Sequence, residues 1–289
     1  MKIKVIVDSG SGLSQKQANE LGMDYLPLQV CIGNKTYMDG VDLTIHQLYD
    51  FIEQEIPIQT SQPPLGYVED LLESYEEQGI HDVLLITLSN GLSGTNSTMQ
   101  AACKRHGIQV HTLDLYTTLA VEMYCAKAAQ ILVEQGMEVD EIIRRIQTSV
   151  ETSRGYLIAE DLDYLSRGGR LTPMAAKLGG LLKIKPILEV SKNSGGKVDV
   201  YDKVRTTNKA IKKVVDVLSD DIKDQESYKF FVLDSNASAS ALIAKNDIKA
   251  AFGEDVDIES QPICSVIASH TGLGALGIQY IRKIEGVEV

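Results

Sequence analysis

The sequence predicts an α/β fold: an N-terminal domain with a doubly wound, mostly parallel sheet, followed by a C-terminal α+β domain. Up to about residue 154, short apolar runs alternate with helical patterns, as in parallel sheets whose strands are joined by helices. Beyond that point, two apolar runs are separated by the turn-forming segment SKNSGGK, which is typical of a β-hairpin. We therefore predict domains over residues 1–154 and 155–289.

Apolar runs and capping residues place the first elements. IKVIV (residues 3–7) and DVLLITL (residues 82–88) are typical of buried strands. Ser14 and Thr44 are each followed three residues later by glutamine, a capping box that predicts the start of a helix.

Three other segments have patterns that bear on candidate sites. YLPLQVCI (residues 25–32) predicts one extended run, and the proline-rich PIQTSQPPLG (residues 57–66) predicts a loop. ICSVIAS (residues 263–269) predicts a strand that ends just before His270. We expect that histidine to contact a ligand or to be a hydrogen-bonded residue at a strand end, because the glycines of the following TGLGALG permit close backbone approach.

Charge and composition limit the class of partner. The net charge of −12 argues against nucleic acid, whose phosphates require a cationic surface. Positive charge is nevertheless concentrated between Glu160 and Lys213, where 12 Lys and Arg stand against 6 Asp and Glu. This local excess indicates either a solvated face or a surface that docks a partner or faces a phosphate.

The apolar runs are too short for a membrane-spanning helix. The first apolar run stops at Asp8, so it indicates a buried strand and not a signal peptide. The four cysteines lack CxxC spacing, which is typical of thiols in a reducing compartment. We therefore expect a cytoplasmic protein without integral membrane association.

Hydroxyl-rich segments follow several predicted strands. In doubly wound sheets, ligands bind where the carboxyl ends of strands meet helix N-termini, whose free N–H groups favour an anion. Asp8 with Ser9, Thr60 with Ser61, and the run from Ser89 to Thr95 have this placement. Plain helix capping is the alternative for any one segment.

A serine hydrolase is one alternative function. Ser93 lies between a strand and a helix, and Asp114 or Asp163 followed by His270 completes the Ser-Asp-His order of α/β-hydrolases. The motif G-x-S-x-G, however, requires glycine where Thr95 stands, and that glycine relieves crowding at the turn. The hydrolase hypothesis is therefore the weaker one.

Cofactor and metal motifs are missing from the sequence. No phosphate loop is present, and Gln15 stands where a dinucleotide-binding loop requires its third glycine. The five histidines have no ligand spacing with each other or with the cysteines. We expect neither a cofactor nor a metal.

Seven short motifs, in this order, resemble the DegV family of fatty acid-binding proteins over essentially the whole chain. They are VDSGSGL, TSQPP, SNGLSGT, DLDYLSRGGRL, GGLLKIKPIL, KVR (residues 203–205) and SHTGLGALG. The resemblance implies two domains, α/β and then α+β, with a long-chain fatty acid between them or within one of them. It also implies that the chain is a carrier and not an enzyme.

The resemblance further implies a carboxylate-binding site at Thr60, Ser93 and His270, with Ser61 as a helper. The residues MAAKLGGLLKI (174–184) are expected to line a tunnel for the acyl tail. Three positions depart from the family pattern and bear on loop shape and chain preference. They are Pro64, Asn96 and Leu273.

The resemblance also implies a protein partner, a fatty acid kinase that converts the bound carboxyl group to an acyl phosphate. Arg167, Arg170, Lys203 and Arg205 are the candidates for docking this kinase or facing the new phosphate. A regulatory sensor of another amphipathic ligand remains a third hypothesis.

Overall fold

The structure is a computed structural model that describes residues 3–177 and 184–288. The described strands form three sheets, of four, three and six strands. The elements of the first part are β1 (Ile3–Asp8), α1 (Gln15–Glu20), β2 (Asp24–Leu26), β3 (Gln29–Ile32), β4 (Lys35–Met38), α2 (Ile45–Glu53), β5 (Ile58–Ser61), α3 (Leu65–Gln78), β6 (Asp82–Ile86), α4 (Thr95–Arg105), β7 (Gln109–Thr112), α5 (Leu119–Glu134) and α6 (Val139–Val150).

The second part contains a further six strands and five helices among the described residues. They are β8 (Arg154–Ile158), α7 (Leu162–Arg167), α8 (Pro173–Ala176), β9 (Lys185–Val190), β10 (Val198–Val204), α9 (Thr207–Asp221), β11 (Tyr228–Ser235), α10 (Ser238–Phe252), β12 (Ile258–Pro262), α11 (Ser265–Thr271) and β13 (Ala275–Arg282).

The four-stranded sheet confirms the predicted doubly wound arrangement. Its order is β2-β1-β6-β7, and all its strands are parallel. Successive residues of β1 point to opposite faces. Val5 and Val7 pack in the core that contains α5, whereas Ile6 packs in the core that contains α3 and α4. Both capping boxes form, at Ser14 and at Thr44.

A three-stranded antiparallel sheet, β4-β3-β5, departs from the prediction. The expected single run at residues 25–32 is wrong, because it divides at Pro27 into β2 and β3, which belong to different sheets. Proline has no N–H to donate to a ladder, so it favours such a break. The predicted loop at residues 57–66 is also wrong in part, since Ile58–Ser61 pair with β3. Thr60 therefore lies on a strand.

The six-stranded sheet, in the order β10-β9-β8-β13-β11-β12, forms the second part of the chain. The predicted hairpin is confirmed, because β9 and β10 pair antiparallel across the SKNSGGK turn. Helices α9 and α10 cover one face of the sheet. The other face packs against the first part of the chain, where Phe231 and Leu233 join the core around α5.

Helix α11 corrects the predicted strand at residues 263–269. A short apolar run does not distinguish a strand from a buried helix, and here a distant side chain favours the helix. The Asp39 carboxylate accepts a 3.0 Å hydrogen bond from the backbone N–H of Val266 in the first helical turn. His270 consequently lies in the last turn of a helix.

The division at residue 154 stays a prediction. Every strand of the six-stranded sheet lies at or after Arg154, yet α11 packs against α2, β3 and β5 of the first part. The largest core cluster likewise contains residues from both parts. Within the described residues, no helix is both long and apolar enough to cross a bilayer.

Candidate functional site

A cavity of about 640 Å³ lies between the six-stranded sheet and the first part of the chain. This volume is in the usual range for a small-molecule site. Its apolar lining comes from both parts of the chain: Leu28, Leu88, Leu92, Leu119, Leu157, Leu165, Val190, Val198, Leu233, Ile263, Val266 and Ile267. These 12 aliphatic residues stand among 29 described lining residues, and most of the others are polar residues or glycines.

The four residues predicted to bind a carboxylate all line this cavity: Thr60, Ser61, Ser93 and His270. Strand β5 carries the first two, the turn before α4 carries Ser93, and the last turn of α11 carries His270. The structure thus brings together side chains from three separate segments. Their role in binding stays a prediction.

Thr60 and His270 are in direct contact. The Thr60 Oγ1 and His270 Nε2 atoms are 2.7 Å apart, although the two residues are 210 positions apart in the sequence. This hydrogen bond connects the antiparallel sheet of the first part to the helix that follows β12. It fixes the imidazole ring at the edge of the cavity.

The imidazole of His270 is neutral near pH 7. Burial, and then the positive charge of Arg170, lower the pKa of His270 from 6.5 to about 4. A neutral imidazole has one N–H donor and one acceptor nitrogen. The other ring nitrogen, Nδ1, lies close to Gly168. A Cβ atom at residue 168 would be 2.5 Å from Nδ1, so a larger residue would clash with the ring.

Ser93 lies at the N-terminus of α4 and has a different partner. Its Oγ is 2.8 Å from Thr95 Oγ1 and accepts a hydrogen bond of 3.2 Å from the Thr95 N–H. The positive end of the helix dipole therefore lies at the cavity, where it favours an anionic group. Ser61 is exposed and lies at the rim.

The geometry does not assemble the hydrolase alternative. The hydroxyl of Ser93 hydrogen-bonds to Thr95, whereas His270 Nε2 hydrogen-bonds to Thr60. The carboxylate of Asp114 accepts hydrogen bonds from the backbone N–H groups of Asn90 and Tyr116. A nucleophilic serine requires a base within hydrogen-bond reach, and Thr60 occupies that position on the imidazole.

One of the four predicted basic residues lies at the cavity. Arg170 donates to the backbone oxygen of Gly168 at 2.6 Å and to that of Leu92 at 3.5 Å. Arg167, Lys203 and Arg205 are exposed and do not line the cavity. If these three have a role, it is therefore on the outer surface.

The predicted tunnel segment, residues 174–184, is only partly described. Residues 178–183 lie outside the described residues, and the described remainder does not line the cavity. Among the residues that the structure describes, no group of three His, Cys, Asp or Glu side chains could hold a metal ion.

The hydroxyl-rich segment at Asp8 and Ser9 supports the backbone and does not line the cavity. The Asp8 carboxylate accepts hydrogen bonds from the N–H groups of Gly10 at 2.7 Å and Leu88 at 3.2 Å. The Ser9 hydroxyl accepts one from Leu28 N–H at 3.1 Å. This segment therefore orders the loops around the cavity, and of the two hypotheses for it the capping alternative agrees with the structure.

Three buried carboxyl groups lie behind the cavity wall. Burial is the main cause that raises the pKa of Asp8 to about 7 and that of Asp39 to about 6. Burial and the neighbouring Asp8 raise the pKa of Glu122 well above its ordinary value. The carboxyl group of Glu122 lies against that of Asp8, and two adjacent buried carboxylates repel each other. Glu122 is therefore most stable in its protonated form.

These carboxyl groups predict a pH dependence of stability. The folded chain binds protons that the unfolded chain releases above about pH 4, so their contribution to stability falls as the pH rises from about 5 to 8. Glu122→Gln removes one such group and is expected to reduce the loss of melting temperature between pH 5 and pH 8. Glu134→Gln, an exposed change on the same helix, is the control. An equal loss in all three proteins would contradict the protonated state of Glu122.

Gln279 and Lys197 also line the cavity, and neither was expected from the sequence. Gln279 stands in an apolar strand pattern, LGIQY, where a lone polar residue is the signal of a buried hydrogen bond. Lys197 closes the SKNSGGK turn, where a lysine has no distinguishing pattern.

The fold and cavity define a two-part α/β protein with a pocket lined by aliphatic and polar residues, whose outer end carries hydroxyl groups and an imidazole. Residues 2–283 match the model of a family described as uncharacterised proteins of the DegV family. A DegV domain-containing protein of Streptococcus pyogenes is 33% identical over 279 residues, which cover 96% of this chain and 97% of the relative. The chain belongs to the DegV family.

Two solved structures resemble the chain over nearly its full length. The fatty acid-binding DegV family protein SAG1342 of Streptococcus agalactiae is 32% identical, with a TM-score of 0.88, and the match covers 98% of this chain and 99% of that one. DegV of Bacillus subtilis, described as a fatty acid-binding protein, is 30% identical with a TM-score of 0.85 over 98% and 100%. These matches confirm the predicted fold class.

Proposed function

We propose that this protein binds a long-chain fatty acid, with the acyl tail in the cavity and the carboxyl group at its outer end. The observation that carries the proposal is the Thr60–His270 hydrogen bond at the edge of a cavity with 12 aliphatic lining residues. The relatives of known structure that are described as fatty acid-binding support it.

The tail supplies most of the binding free energy. Burial of each methylene contributes roughly 0.8 kcal/mol, so a tail of about 16 carbons contributes on the order of 10 kcal/mol before the costs of association. A buried carboxylate without partners would oppose this gain. At the outer end, the carboxylate therefore requires hydrogen-bond donors more than it requires a positive charge.

Thr60 and His270 provide such a donor. In the proposed complex, the neutral imidazole donates its Nε2–H to Thr60 Oγ1, 2.7 Å away, and the threonine hydroxyl donates to an anionic oxygen. The tautomer follows from the acceptor-only character of a carboxylate. Ser93, at the positive end of α4, is the second hydroxyl at this end of the cavity, with exposed Ser61 beside it.

Removing the threonine hydroxyl is the sharpest test of this arrangement. Thr60→Val keeps the branched shape and is expected to weaken binding of a C16 or C18 acid by about 1–3 kcal/mol, because a buried polar partner is lost. His270→Ala and Ser93→Ala are expected to fall in the same range. Isothermal titration of delipidated protein measures each affinity.

Thr36→Val is the matched control, since Thr36 lies exposed on β4 of the same antiparallel sheet and does not line the cavity. Its affinity should equal that of the unmodified protein. Equal affinity in Thr60→Val and Thr36→Val would place the carboxyl group elsewhere.

The ligand itself is identified by native mass spectrometry of the purified protein. A bound mass of a C14–C18 acid, or uptake of such an acid by delipidated protein, is the expected result. If no acid co-purifies and the delipidated protein takes up none, fatty acid binding is rejected. A bound non-lipid mass would instead support the sensor of another amphipathic ligand.

We further propose that the bound acid is presented to a separate fatty acid kinase, which phosphorylates the carboxyl group to an acyl phosphate. The outer end of the cavity bears exposed residues, so the carboxyl group lies near the surface. Arg167, Lys203 and Arg205 are exposed cations of the positively charged segment and are the docking candidates. Arg170 at the cavity is the candidate that faces the phosphate.

Arg205→Ala tests the docking surface. This change is expected to leave fatty acid affinity unchanged and to slow acyl phosphate formation by the partner kinase, because an exposed charge steers association. Lys212→Ala, an exposed cation on α9 in the same segment, is the control. If acyl phosphate forms as fast with Arg205→Ala as with Lys212→Ala, Arg205 is not part of the docking surface.

A further inference from the structure

The two ends of the cavity differ in exposure. The outer end has exposed polar and backbone groups, namely Ser61, Gln62, Asn90 and Gly94. Toward the opposite end, Thr118, Leu119, Gly155 and Gln279 are buried, and the same row of the sheet continues through Val190 and Val198 to the exposed Lys197. A ligand held by its head group at the outer end would therefore place its far end against the second group.

The strands of the six-stranded sheet give the direction from the outer end of the cavity to its inner end. On the face of the six-stranded sheet that lines the cavity, Leu157 is opposite Gly277 and Gly155 is opposite Gln279. Strand β13 starts at Ala275, shortly after His270, and each residue advances the chain by about 3.3 Å. Gln279 thus lies roughly 13 Å farther along the sheet than the start of that strand.

The side chain of Gln279 crosses from the sheet to the start of α5. Its Nε2 donates to the backbone oxygen of Thr118 at 2.9 Å and to Thr117 Oγ1 at 3.4 Å. Its Oε1 accepts a hydrogen bond from the Val121 N–H at 3.3 Å. Gln279 is only 5% exposed, and both its amide nitrogen and its amide oxygen are hydrogen-bonded. The amide is therefore fixed in place.

These contacts hold a strained turn. Leu119, between the two backbone positions that Gln279 contacts, has a φ of 61°, a conformation that is unfavourable for a bulky side chain. Leu119 is buried and lines the cavity. Gln279 therefore also positions Leu119.

On β13, no cavity lining continues past this pair within the described residues. The next position on the same face of β13 is Ile281, which is fully buried in the core together with Phe231 and Tyr124. Gly155, opposite Gln279, leaves the room that the amide occupies, since a Cβ on Gly155 would be 3.2 Å from Nε2. Along β8 and β13, the cavity is thus closed by the amide of Gln279 lying over Gly155.

We propose that Gln279 is the end stop of the acyl cavity and sets the longest tail that the protein accepts. This inference rests on the proposed binding of a fatty acid. A tail that reaches Gln279 gains no further burial from an added methylene, because the hydrogen-bonded amide does not move aside. Affinity should therefore rise with chain length up to a limit and then fall.

The test compares affinities for saturated acids of about 12 to 20 carbons. In the unmodified protein each methylene below the limit is expected to raise affinity by about fourfold. Gln279→Ala removes the crossing amide and should move the optimum to a longer acid. Gln279→Met keeps the length of the side chain without the hydrogen bonds that fix it, so its optimum should lie between those of the unmodified protein and Gln279→Ala.

A second variant acts in the opposite direction and avoids removing buried hydrogen bonds. Gly155→Ala adds a methyl group to a strand at the inner end and should move the optimum to a shorter acid. Circular dichroism melting checks that each variant is folded. If Gln279→Ala does not fold, the shift in Gly155→Ala decides the question.

The outcomes separate this inference from the function on which it rests. Failure of the unmodified protein to bind any acid would overturn fatty acid binding and the end stop together. Binding with an unchanged optimum in the folded Gln279→Ala and Gly155→Ala variants would overturn the end stop alone.

Discussion

The hydrogen bond between Thr60 and His270 is the contact on which the site depends. It joins a strand of the antiparallel sheet to the last turn of α11, so the two segments lie together at the cavity. Asp39 accepts an N–H from the first turn of that helix, so a buried carboxylate holds one end of α11 while Thr60 holds the other. The cavity opens between these fixed points and the six-stranded sheet.

Buried polar groups determine the shape of the pocket. The carboxylate of Asp8 holds two loop amides, and the amide of Gln279 holds the strained start of α5. Each such group is costly to bury unless it is paired, so each pairing selects one loop conformation. The buried carboxyl group of Glu122 lies against Asp8, and burial together with this neighbour keeps Glu122 protonated.

Local signals predicted much of the fold and part of the site. The apolar runs of β1 and β6, the capping boxes and the hairpin turn depend on neighbouring residues, and all were predictable. The second sheet and α11 depend on distant partners, β3 for Thr60 and Asp39 for the helix, which no local pattern contains. Strand-end hydroxyls indicated the segments that contain Thr60 and Ser93, and the family resemblance indicated those two residues. Nothing in the sequence indicated that Gln279 contacts the start of α5.

The central claim is that a fatty acid carboxyl group hydrogen-bonds to the Thr60 hydroxyl that His270 orients. NMR of hexadecanoic acid labelled with ¹³C at the carboxyl carbon, bound to delipidated protein, observes that group directly. The account predicts a bound resonance whose chemical shift changes when valine replaces Thr60. An identical bound shift in the two proteins would contradict it.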